Sequence, residues 1–183
     1  MLKMHSKFII VSLLFVLSLA CSPGETQKNT TPSAETSKQA AETKPVATPS
    51  KNFTPADVAK LKWIECTWRG MDGEKPFYER YKIEETVMIA ESLKEDGSTA
   101  EKPTRFELKD GEFGEGEGDN RSAATEITDS YIQFVPAVPG KGNNFRFERQ
   151  SDGTWIALLE WPATAGKPAR QKVYKMEPWQ PKK

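Results

Sequence analysis

From residue 63 to residue 177 apolar and polar positions alternate with a period of two, the signature of half-buried strands. In Phe145-Arg146-Phe147 the two phenylalanines share a face opposite the arginine. In TWIALLEW, Trp155, Ala157, Leu159 and Trp161 share one face. The pattern predicts nine strands, over 63–69, 77–84, 86–94, 104–109, 124–128, 131–138, 144–150, 154–161 and 170–177. Asp96-Gly97, Asp110-Gly111 and Asp152-Gly153 fall between them, and such pairs supply the positive φ that tight hairpins demand. Ahead of the strands the signal is helical. Thr54 suits an N-cap, Pro55 the first helical position and Asp57 the third, so a short helix should run to about residue 62 and present Val58 and Leu61. No long helical pattern interrupts the strands and no repeat of about 20–50 residues is present, which disfavours a propeller. The expected class is mainly β, an antiparallel barrel or sandwich preceded by a short N-terminal helix.

The first fifty residues carry no such pattern. Residues 1–20 have lysines at 3 and 7 followed by the apolar run FIIVSLLFVLSL, as a secretory signal does; the run is too short to span a bilayer as a helix. It ends at Ala20-Cys21, which resembles a bacterial lipobox, although Ser18 stands where leucine is favoured. The resemblance implies cleavage before Cys21, a diacylglyceryl thioether on its sulfur and a third acyl chain on its amino group. Two or more chains hold a protein stably on a membrane. Ser22 follows, not the aspartate that retains some lipoproteins in the inner membrane, so by analogy the expected location is the outer membrane, facing the periplasm. Residues 22–51 lack any aromatic, Leu or Ile and read as a disordered tether of about 30 Å root-mean-square reach. The folded domain is expected over 52–179, with 180–183 a tail.

Composition narrows the chemistry. The 183-residue chain has 26 basic and 26 acidic residues. Loss of Lys3 and Lys7 with the signal leaves 24 against 26, a charge of −2 that gives no reason to expect a nucleic-acid partner. The only histidine, His5, leaves as well. A mature chain without histidine has no Ser-His-Asp or Cys-His pair and no histidine ligand for metal or haem. No cofactor and no metal are expected. With Cys21 acylated, Cys66 has no intramolecular disulfide partner and is expected as a small buried core residue, with intermolecular pairing as the alternative. The acidic stretch 110–120 has five carboxylates and four glycines but fits no calcium loop, and it reads as a solvated hairpin segment.

A resemblance adds to this reading. Trp63-Ile64-Glu65-Cys66-Thr67-Trp68 after a short helix, followed by FYERYKIEETVMIAESL, is similar to the opening of uncharacterised lipocalin-like (calycin-type) bacterial lipoproteins. Cysteine stands where their first-strand Gly-x-Trp motif has glycine. The resemblance implies an up-and-down barrel able to hold a small apolar ligand, with a last-strand arginine, here Arg170, packed over Trp68 to close it.

Candidate functional residues follow from both sources. Trp68, Trp155 and Trp161 could line a pocket, although core packing at the barrel ends is the commoner use of tryptophan. Glu79 and Tyr81, if they face inward, could orient a ligand's polar end. A turn at 84–85 would pair Tyr78 with Glu91, put Arg80 diagonally beside Glu91 and point Glu79 the other way, which favours an Arg80–Glu91 ion pair over a glycosidase-like carboxylate couple. The leading expectation is a non-enzymatic, membrane-anchored envelope lipoprotein binding a small, partly apolar ligand. The alternative is a protein-interaction module with a filled core. A carboxylate hydrolase ranks last.

Overall fold

A computed structural model describes residues 48–50, 52–164 and 166–181; the signal, the lipobox at Cys21 and most of the tether lie outside the described residues. Ten antiparallel strands close into one barrel. They are β1 (Thr67–Asp72), β2 (Lys75–Glu84), β3 (Val87–Leu93), β4 (Thr104–Lys109), β5 (Glu112–Glu115), β6 (Ser122–Ile127), β7 (Tyr131–Pro136), β8 (Asn144–Arg149), β9 (Trp155–Trp161) and β10 (Arg170–Pro178). Each strand pairs with its neighbours in sequence, and β1 closes on β10 through Trp68↔Pro178 and Arg69↔Glu177. Barrel width grows with strand number, and about eight strands already leave room for one small ligand.

Helix α1 (Pro55–Ala59) starts as its sequence predicts. Asp57 Oδ2 accepts hydrogen bonds from the backbone N and Oγ1 of Thr54, at 2.9 and 2.8 Å. The chain then tightens into a 3-10 turn over Lys60–Ile64, so Trp63 and Ile64 belong to helical structure and not to the expected first strand. The turn rotates Ile64 onto the face that Val58 and Leu61 already bury, and all three sit in the core. Trp68 Nε1 donates to Ile64 O at 2.7 Å, tying the turn to β1. The helical segment therefore plugs one end of the barrel.

The segment before the helix is held at the same end. Ser50 N donates to Ala124 O and Phe53 N to Gly111 O, both at 2.9 Å. β5 and β6 pair only through Gly114↔Ala123 and Glu115↔Ser122, so Ser50 and Phe53 satisfy backbone acceptors where that seam gives out. Gly114 is required by the close approach: a Cβ there would lie 2.3 Å from Ser122 O.

β5 corrects the reading of 110–120 as solvated. Asp110 (φ 52°) and Gly111 (φ 76°) form a tight turn, with Lys109↔Glu112 as its last pair, and the four residues after it enter the wall. Phe113 is completely buried and packs near Phe106 and Phe134, with ring centroids 6.4 and 6.3 Å away. Burying such a side chain contributes roughly 1.5–3 kcal/mol. Of the acids of the stretch Asp110, Glu117 and Asp119 are exposed, whereas Glu112 and Glu115 are half-buried in the strand, Glu112 paired with Arg121 Nε at 2.6 Å.

Candidate functional site

The interior is filled on one side and hollow on the other. Met88, Phe106, Phe113, Ile132 and Phe134, from β3 to β7, pack solidly with the helical plug. On the side formed by β8, β9, β10, β1 and β2 a cavity of about 480 Å³ remains, reaching the rim opposite the plug at Asp72 and Asn143. Strand alternation explains its lining. On β2 the inward positions are Phe77, Glu79 and Tyr81; on β8 they are Phe145 and Phe147; on β9, Ala157 and Leu159; on β10, Tyr174 and Met176. Phe77 and Tyr174 meet edge to face at 5.1 Å, and Tyr81 and Phe147 at 6.1 Å.

Glu79 is the one carboxylate placed deep in this wall. Its Oε2 accepts a 2.8 Å hydrogen bond from Tyr81 Oη. No lysine or arginine lines the cavity, and no ion pair involves Glu79 among the described residues. Burial raises the Glu79 carboxyl above the usual carboxylate range, partly offset by the Tyr81 bond. Burial, followed by the neighbouring Glu79 charge, pushes the Tyr81 phenol well above its ordinary value. At the rim Asp72 is neutralised: Lys172 Nζ reaches its Oδ1 at 2.7 Å while lying 4.8 Å from the Tyr174 ring.

The other carboxylate of interest faces outward. The β2–β3 turn lies at Glu85-Thr86, so Arg80 is directly opposite Glu91 and Tyr78 opposite Leu93, a slip from the expected pairing. Glu91 accepts from Arg80 Nε at 2.6 Å and lies 3.3 Å from Lys82 Nζ, which holds it below the usual range, the Arg80 bond contributing most. Glu79 and Glu91 occupy opposite faces of the wall and cannot flank one substrate.

The tryptophans are elsewhere than a ligand site would need them. None of the five lines the cavity. Trp68 and Trp155 are buried at the plugged end, 6.0 Å apart and edge to face, because the 3-10 turn folds onto them. Trp161 sits at the open rim with the Arg170 guanidinium 4.1 Å above its ring. Arg170 therefore does not close the barrel over Trp68: it opens β10, whereas Trp68 pairs with Pro178 at the strand's other end. Trp179 stacks on the outward Tyr78 at 4.1 Å.

Cys66 also departs from expectation. It is half-buried against the core, but its sulfur is in a disulfide bond and is not a core thiol. The chain's one other cysteine is Cys21, outside the described residues. A thioether and a disulfide cannot share one sulfur, so acylation of Cys21 and a Cys21–Cys66 bond exclude each other within a molecule.

Of the residues expected at a site, Glu79 and Tyr81 are brought together in the cavity. Phe77, Phe145, Phe147, Leu159, Tyr174 and Met176 join them; their alternation was visible, but not which half of the barrel would be left hollow. Asp72 and Asn143 come from loop edges and carried no signal. No family model, curated protein or solved structure matches the chain.

Proposed function

We propose that this protein is a membrane-anchored lipoprotein of the bacterial envelope whose lipocalin-like barrel binds a small, partly apolar molecule without transforming it. The observation that carries the binding reading is the cavity. Its volume of about 480 Å³ lies within the range of small-molecule sites, and an apolar, aromatic wall with a few polar groups is how such sites combine affinity with orientation. The anchor rests on the Ala20-Cys21 pattern and the polar tether after it, and it requires that Cys21 is not the disulfide partner of Cys66. The tether would join the barrel at the plugged end, where Ser50 and Phe53 are held, leaving the mouth at the far end. The solidly packed half of the interior is what a protein-interaction module would extend throughout, and the cavity argues against that alternative.

Native mass spectrometry of the full chain purified from membranes tests this reading. A non-covalent adduct that disappears in Ala157→Trp, which fills the cavity, is the expected result. Wild-type protein that carries no adduct and takes up no apolar fluorophore would overturn it.

A further inference from the structure

We propose that the cavity selects an organic cation: an amphiphile whose ammonium group meets Glu79 and whose apolar part lies against the aromatic wall. This deepens the binding reading above and rests on it. Three observations converge. Among the described residues Glu79 is the only charged side chain deep in the cavity, and none of their cations pairs with it. Its neighbours there, Phe77, Tyr81, Phe147 and Tyr174, present ring surfaces, whose quadrupoles attract cations and gain strength when water is excluded. At the rim Lys172, which lies against the lining Tyr174 ring, is already engaged by Asp72 and is not free to draw in an anion.

The same arrangement selects against fatty-acid-like anions. A ligand carboxylate placed beside Glu79 would meet a like charge in a poorly solvated site with no lysine or arginine to offset it. It could avoid that only by leaving its head at the rim. A cation instead supplies the missing counter-charge, and Tyr81 already holds one carboxylate oxygen in place so that the group is oriented before binding. A ligand amine can donate to Glu79 while its chain covers Phe145, Leu159 and Met176.

The test compares three probes of one chain length, n-octylammonium, n-octanol and n-octanoate, titrated into the full chain at pH 7 by calorimetry. Octylammonium is expected to bind at least tenfold more tightly than octanoate, with octanol between. Glu79→Gln is expected to abolish that preference and keep octanol binding; Asp72→Asn, at the rim, should leave the preference in place. Octanoate binding as tightly as octylammonium, or a preference that survives in Glu79→Gln, would overturn the inference while leaving a binding cavity. If none of the three binds the wild-type protein, the binding reading fails with it. The wild-type comparison decides the matter even if Glu79→Gln does not fold.

Discussion

Tyr81 Oη donates a 2.8 Å hydrogen bond to Glu79 two residues away on the same strand, and both side chains point into the hollow half of the barrel. Among the described residues that carboxylate is held by one phenol and by no cation. Such a group costs stability when ionised and is suited to receiving a partner from outside.

The pH dependence of stability follows from that cost. Folding raises the Glu79 carboxyl above its unfolded value, so between the two values the folded state binds the proton more tightly. Stability is then fullest below the unfolded value, near 4.5, and falls as pH rises through the folded one. Tyr81, Tyr174 and the Asp72–Lys172 pair are the other titratable groups around this cavity; Lys172 offsets the Asp72 charge, and burial, which pushes the Tyr81 phenol well above its ordinary value, keeps it neutral in this window. Glu79→Gln should therefore raise the thermal midpoint at pH 7, with the gain shrinking toward pH 4. A lower midpoint at pH 7 would contradict this assignment.

Tyr81→Phe removes the only donor to that carboxylate among the described residues while keeping the ring against Phe147 and Trp155. Loss of a hydrogen bond to a charged group should cost about 1.5–3 kcal/mol at pH 7 by urea denaturation. In the Glu79→Gln background the cost should be markedly smaller, because the two residues act as a coupled pair.

Phe113→Ala tests whether the acidic stretch forms a wall of the barrel. A completely buried phenylalanine should cost about 3–5 kcal/mol on truncation. A change within about 0.5 kcal/mol, as for a surface position, would place it in solvent.

The two fates of Cys21 can be separated by intact mass. Acylated protein should carry the lipid mass, run without an intrachain disulfide, and accumulate as a precursor under globomycin. Protein with a Cys21–Cys66 bond should lack the lipid, gain two hydrogens on reduction and be released from membranes. One molecule showing both the lipid and that intrachain bond would be incompatible with the chemistry of a single sulfur.

Much of the fold was readable because period-two alternation and Asp-Gly turns report local geometry directly. The capping residues Thr54 and Asp57 behave as their types dictate, and FRFER and TWIALLEW turn inward the faces they advertise, with Phe147, Trp155 and Ala157 buried. Two features escaped. Trp63 and Ile64 look like strand residues, yet the plug needs Ile64 beside Val58 and Leu61, and tertiary packing won. β5 is only four residues long and glycine-flanked, so its charge outweighed Phe113 in the pattern. The site was half legible. FYERY shows Phe77, Glu79 and Tyr81 on one face, but a turn placed one residue early was enough to mispair Arg80 and Glu91. The role of the tryptophans depended on which end the helix would plug, and that is set by contacts remote in sequence.

The central claim is that the hollow half of this barrel is a binding site, and methyl NMR of the full chain during an n-octylammonium titration tests it most directly. The methyl signals of Ala157, Leu159 and Met176, which line the cavity, should shift saturably and together, while those of Val58, Leu61 and Ile132 in the solid half stay in place. No saturable shift with n-octylammonium, n-octanol or n-octanoate, or shifts confined to the exposed Met71 and Val173, would contradict it.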